Sequence, residues 1–189
     1  MALRTSSPTI RPGDVLENPV TGERFTFTDT AATTHGELLA FDFALRPGGA
    51  VPLPHVHPIQ TETFHVKQGL MGFRIGRRTQ LAGPGEIVAV APGVAHSFAN
   101  AGEEEARLHV EVRPALAMES MFADVISMAR AGRMNKRGMP RNLLDLALLA
   151  RRYDQEAHAP LLSVRVQRLL LAPLLFAAKL RPGPHRARR

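Results

Sequence analysis

PHVHPIQTETFHVKQG, residues 54–69, decides how this chain is read. His55 and His57 stand one residue apart in a proline-bracketed segment without helical spacing, and Glu62 follows five positions later. Side chains alternate faces along an extended strand, so positions i and i+2 point the same way. His55 and His57 can therefore aim both imidazoles inward, and a bend at PIQT lets Glu62 join them from the next strand. Two neutral imidazoles and a carboxylate form a borderline-hard N/O donor set, suited to Fe(II), Mn(II), Ni(II), Zn(II) or Cu(II). The chain has no cysteine, which excludes disulfides and thiolate ligands and leaves His, Asp and Glu to hold any metal.

The residues around this stretch predict a mainly β fold. RFTFT (24–28), LLAFDFAL (38–45), ETFHV (62–66), MGFRI (71–75), EIVAV (86–90) and RLHVEV (107–112) mostly alternate in polarity. NPVTGE, RPGGAVPLP, LAGPGE, APGVA and ANAGEEE separate them as turns. Many short strands at near-regular spacing suggest a sandwich or barrel. No internal repeat is visible.

Two spaced motifs sharpen this reading. GAVPLPHVHPIQTETFHVKQG resembles the first cupin motif, with Gly49, His55, His57, Glu62 and Gly69 at its fixed positions. GEIVAVAPGVAHSFAN resembles the second through Gly85, Gly93, His96 and Asn100. It departs at one position, where Ala91 replaces a proline and Pro92 follows. Residues 70–84 match the short inter-motif hairpin of small single-domain bacterial cupins. The resemblance implies a double-stranded β-helix, the jelly-roll cupin barrel, with His96 as fourth ligand beside His55, His57 and Glu62.

Strand alternation gives the neighbouring residues their expected places. His65 turns away from Glu62 and is read as structural. His109 alternates with Leu108, Val110 and Val112, and either set can face inward. Phe64 and Val66 share the face of Glu62. The opposite wall takes either Met71, Phe73 and Ile75 or Gly72 and Arg74. Gln60 either reaches the metal-bound water or substrate, or shapes the bend. The expected substrate pocket is therefore Gln60, Phe64 and Phe73.

The pattern changes at Arg113-Pro114. ALAMESMFADVISMARAG, RNLLDLALLARRYDQEA and SVRVQRLLLAPLLFAAKL read as three helices, the third broken or kinked at Pro173. We thus expect a barrel over 12–114, a C-terminal α-helical extension over 115–181 and a disordered basic tail over 182–189. Charge follows the same division. Residues 1–114 carry 10 Lys+Arg against 12 Asp+Glu, whereas 115–189 carry 14 against 5. With three aromatics and no nucleic-acid motif in the basic part, a solvated helix surface is expected rather than nucleic-acid binding. The ten-residue apolar run LLLAPLLFAA is too short to span a bilayer. The apolar helix faces are expected to be buried against the barrel or against a second subunit, with a homodimer favoured and membrane contact of the third helix as the further alternative. No apolar leader segment opens the chain, and cytoplasmic location is expected.

Four protein ligands leave about two positions on an octahedral ion. With iron, the first choice, O₂ and a chelating small-molecule substrate can both bind, which is dioxygenase chemistry. With Mn, Ni, Zn or Cu, Lewis-acid chemistry gives an isomerase, decarboxylase or lyase. A displaced Glu62 can serve as catalytic base. A non-catalytic small-molecule-binding cupin is the remaining class.

Overall fold

The computed structural model describes residues 9–160 and 163–179. Ten strands form two antiparallel sheets. They are β1 (Val15–Glu17), β2 (Glu23–Asp29), β3 (Leu39–Leu45), β4 (Ala50–His55), β5 (Thr61–Gln68), β6 (Met71–Ile75), β7 (Arg78–Ala82), β8 (Ile87–Val90), β9 (His96–Asn100) and β10 (Ala106–Arg113). One sheet runs β1-β2-β3-β10-β5-β8 and the other β4-β9-β6-β7. Strands distant in sequence are neighbours in both, as in a jelly roll. The expected β class is therefore observed, although β1, β4, β7 and β9 are not among the alternating runs, and β4 occupies most of RPGGAVPLP, which reads as a turn.

Alternation places the core. On β5, Glu62, Phe64 and Val66 are buried while Thr63 and His65 are only partly so. On β10, Leu108, Val110 and Val112 point inward, which puts His109 on the outer face, 2.9 Å from Asp42. On β6, Met71 and Phe73 are the buried pair, and Arg74 is exposed. Eight of the nine phenylalanines contact one another in the core: Phe25, Phe27, Phe41, Phe43, Phe64, Phe73, Phe98 and Phe122. Their tilted and edge-on arrangements are the ones the ring quadrupole favours.

The motif positions have local reasons. Gly69 adopts φ +79°, and a Cβ there would stand 2.8 Å from the Ala106 Cα, so only glycine fits. The Asn100 amide donates to the Leu45 and Glu104 carbonyls at 2.9 and 2.7 Å, and its Oδ1 accepts from Gly102 N–H, locking the β9–β10 turn. In the turn 91–94, Val94 N–H meets the Ala91 carbonyl at 3.3 Å, Pro92 stands at the second position, and Gly93 has φ +78°. This is the residue pattern of a type II turn. Its first position makes no demand for proline, so the departure at Ala91 leaves the turn intact.

Three helices follow: α1 (Met118–Arg130), α2 (Leu143–Arg152) and α3 (Val164–Lys179). Met118, Ala123 and Ile126 of α1 join the barrel's own hydrophobic cluster. α2 ends five residues before the predicted Ala157, because the chain turns back after Tyr153 toward the barrel. α3 runs unbroken through Pro173, where a break or kink is predicted. The third helix packs on α2 and leaves Leu169 and Phe176 73% and 64% exposed. No described helix is long and apolar enough to cross a membrane. The tail expected over 182–189 lies outside the described residues.

Candidate metal centre

His55 closes β4 and His96 opens β9, directly opposite it in register. His57 lies in the loop between β4 and β5, and Glu62 is the second residue of β5. One ligand atom from each of His55, His57, Glu62 and His96 falls within 4.8 Å of every other. Glu62 Oε2 lies 3.2 Å from His57 Nε2 and 2.9 Å from His96 Nε2. His57, Glu62 and His96 are buried, and His55 is partly so.

The opposite ring nitrogens fix the tautomers. His55 Nδ1 lies 3.1 Å from the Leu53 carbonyl, and His96 Nδ1 lies 3.2 Å from that of Val94. His57 Nδ1 faces the Glu156 carbonyl. A carbonyl only accepts, so each Nδ1 carries the hydrogen and donates it. Each Nε2 then turns a bare lone pair toward the carboxylate. Three lone pairs and an anion converging in a buried space repel one another unless a positive charge lies among them. A proton on one ring relieves part of this, whereas a divalent cation satisfies all four groups. The donor set therefore fits a first-row divalent metal, with backbone carbonyls orienting every imidazole.

The ionisation pattern has the same origin. Burial alone would raise the Glu62 carboxyl, but a protonated His57 or His96, through its hydrogen bond and charge, holds it well below the usual range. Burial lowers His57, yet contact with Glu62 outweighs that and raises it. His55 is pushed down to about 4 by burial and by its neighbours His96 and His57. The centre thus holds an anionic Glu62 and a neutral His55 at neutral pH.

The cluster opens on a cavity of about 300 Å³. Its wall includes His55, His57 and Glu62. Phe64 lines the cavity together with Phe25, Phe41, Phe43, Phe98 and Phe122. Two expected pocket residues are placed elsewhere. Phe73 packs behind the wall on Phe64 and Phe98, with ring centres 5.1 and 6.0 Å away. Gln60 is fully buried off the wall, and its amide donates to the Pro114 and Ala115 carbonyls at 2.9 and 3.2 Å. It therefore ties the β4–β5 loop to the start of the extension, the second of its two expected roles.

The sequence reading missed two contributors. One is the return segment 156–158. Besides the Glu156 carbonyl on His57, Val56 and His158 exchange two backbone hydrogen bonds of 3.0 Å, and Glu156 Oε1 accepts from Ala117 N–H. The other is the polar group Asn18, Thr21 and Glu23 on the cavity wall. Alternation on β2 does place Glu23 on the face of Phe25 and Phe27, and that was the available signal.

Residues 41–112 match the family model described as Cupin domain. Germin-like protein subfamily T member 3 from Arabidopsis thaliana is 31% identical over 111 residues, which cover 56% of this chain and 46% of that protein. The chain thus matches less than half the length of that relative. A predicted oxalate decarboxylase from Thermotoga maritima has a TM-score of 0.49 and 17% identity, covering 56% of this chain and 98% of that one. An RmlC-like cupin from Shewanella frigidimarina has a TM-score of 0.48 and 17% identity, covering 57% and 88%. At these scores neither structure bears on function.

Proposed function

We propose that this chain, whose residues 41–112 match the Cupin domain family model, is a mononuclear metal-dependent oxygenase acting on an apolar, chelating small molecule. His55, His57, Glu62 and His96 are its metal ligands in this reading, and iron is the preferred ion. The observation that carries it is the opening of a buried three-His/one-Glu cluster onto a phenylalanine-walled cavity. When bound, a redox-active ion supplies the one-electron chemistry that lets O₂ react with an organic substrate.

The remaining work falls to the chain's own residues. Phe64 and Phe98 hold a flat substrate beside the centre and keep water away. The carbonyls of Leu53, Glu156 and Val94 hold the three rings in place. Glu62, if displaced from the ion, is the carboxylate placed to take the proton that a chelating hydroxyl gives up and to return it to the product. Charge on the wall supports an apolar substrate over a dianionic one. Its buried ionisable groups among the described residues are the acids Glu23 and Glu62 and the ligand histidines, while Arg137 is exposed. An oxalate or sugar phosphate would find no buried Lys or Arg on that wall.

Metal analysis of the purified full chain, then oxygen-electrode measurements with 4-ethylcatechol, tests the reading. Near-stoichiometric iron and O₂ uptake that His57→Ala abolishes are expected. Full occupancy by zinc or manganese without O₂ uptake overturns the oxygenase and favours Lewis-acid chemistry at the same residues. A homodimer accompanies this proposal, since a second copy would cover Leu169, Leu170 and Phe176 on α3. Light scattering is then expected to give twice the 20.6 kDa chain mass, and a monomer would remove the dimer.

A further inference from the structure

The cavity has a second polar pole. Glu23 is 8% exposed and lines the same space as His55, His57 and Glu62. Only one of its oxygens is engaged: Oε2 accepts from Asn18 Nδ2 at 2.9 Å and Thr21 Oγ1 at 2.6 Å. Asn18 is itself fixed, since its Oδ1 accepts from Val20 N–H at 3.0 Å and its backbone pairs with Glu23 and Gly22. Glu23 Oε1 accepts no hydrogen bond among the described residues. The β1–β2 turn therefore holds one carboxylate oxygen rigidly and leaves the other available to the cavity. Among the described residues the fully buried side-chain polar atom without a partner is Gln60 Oε1, so Glu23 Oε1 remains accessible from the cavity, where a ligand that brings a donor gains affinity.

The rest of the wall is mainly apolar, with phenylalanine, methionine, valine, leucine and isoleucine side chains. A cavity of ~150 Å³ holds a benzene, so about 300 Å³ takes roughly a dozen non-hydrogen atoms. We propose that Glu23 is a specificity-determining residue that reads a hydroxyl on the far end of a flat, largely aromatic ligand whose other end chelates the metal centre. The chelating end rests on the function proposed above, but the hydroxyl-reading end does not. Burial raises the Glu23 carboxyl, opposed by the Thr21 and Asn18 bonds. A hydroxyl suits either state of the acid, because it both donates and accepts.

The test is calorimetric titration of the full, metal-loaded chain with 4-(2-hydroxyethyl)catechol and with its 2-methoxyethyl counterpart, which lacks the terminal donor. The native protein is expected to bind the hydroxyl probe about tenfold more tightly, the size of one net hydrogen bond. In Glu23→Leu that ratio falls to about one while metal content stays unchanged. Should Glu23→Leu fail to fold, Glu23→Gln keeps the volume; its amide oxygen takes the Asn18 and Thr21 bonds and turns the NH2 to the cavity, where it donates to hydroxyl and ether alike, so the ratio must still fall. A native ratio near one, a ratio that survives these substitutions, or binding of neither probe overturns the proposal. His57→Ala separates the two readings. It should weaken both probes together and leave their ratio intact. If it changes neither binding nor metal content, the metal centre is wrong while the ratio still reports on Glu23.

Discussion

His57 joins three parts of the molecule through its ring and its backbone carbonyl. Nδ1 donates to the Glu156 carbonyl, Nε2 faces Glu62, and its own carbonyl accepts from Gly93 N–H at 2.8 Å. Truncation at Cβ removes one of four metal donors and leaves the Glu156 carbonyl without its donor, a cost of about 1–3 kcal/mol. Typical domains have ~5–15 kcal/mol in hand, so the barrel should survive. His57→Ala is expected to keep a β-rich circular dichroism spectrum and hold less than about a tenth of the native metal by mass spectrometry. Full metal content in that variant would show that His57 is no ligand. The HxH spacing was readable because alternation is a two-residue property. The Glu156 partner was not, because nothing local to either residue announces a contact between them.

At the scale of elements, the strands follow alternation and the end of the second helix does not. α2 begins at an Asn142 cap whose side chain accepts from Leu144 N–H, and it stops at Arg152 although helical spacing continues. Asp154, just beyond, accepts from Arg168 Nε and Nη2 at 2.6 and 2.8 Å, which fastens α3 to the end of α2. That contact with Arg168 outweighs burial and holds the Asp154 carboxyl below its ordinary value of 3.8. An acid depressed in the folded state stabilises above its unfolded value, and the contribution is lost as pH falls through it. Hydrogen exchange on α3 should therefore quicken as pH drops below about 3.8, after correction for intrinsic rates, while β5 and β10 remain protected. Asp154→Asn should show the faster α3 exchange already at neutral pH. Equal α3 protection on both sides of that window would show that the pair does not fasten the helix.

Across the whole molecule, the polarity change at Pro114 marks a boundary of secondary structure but not of packing. Met118 and Ile126 share the barrel's cluster and also line the cavity, and residues 156–158 return to the metal loop. A chain ended at Gln155 loses the carbonyl that orients His57 and both backbone bonds between Val56 and His158. Losing such an outer partner typically costs ~10–100-fold in metal affinity, and that drop is expected in a chelator competition assay. Unchanged affinity would limit the extension to covering the barrel.

The sequence by itself determined the alternation of the strands, the turn glycines and the grouping of His55, His57 and Glu62, and its resemblance to the two cupin motifs implied His96. Each of these follows from a short-range rule: alternation, positive φ or motif spacing. Tertiary structure alone decided that His109 faces outward, that Gln60 braces a loop instead of lining the pocket, and that Glu23 stands in the same cavity as the metal centre. These depend on which strands become neighbours and on how the helices close over the barrel. Hydrophobic burial drives that closure but has no direction of its own, so the partners emerge only once the two sheets and α1 have packed.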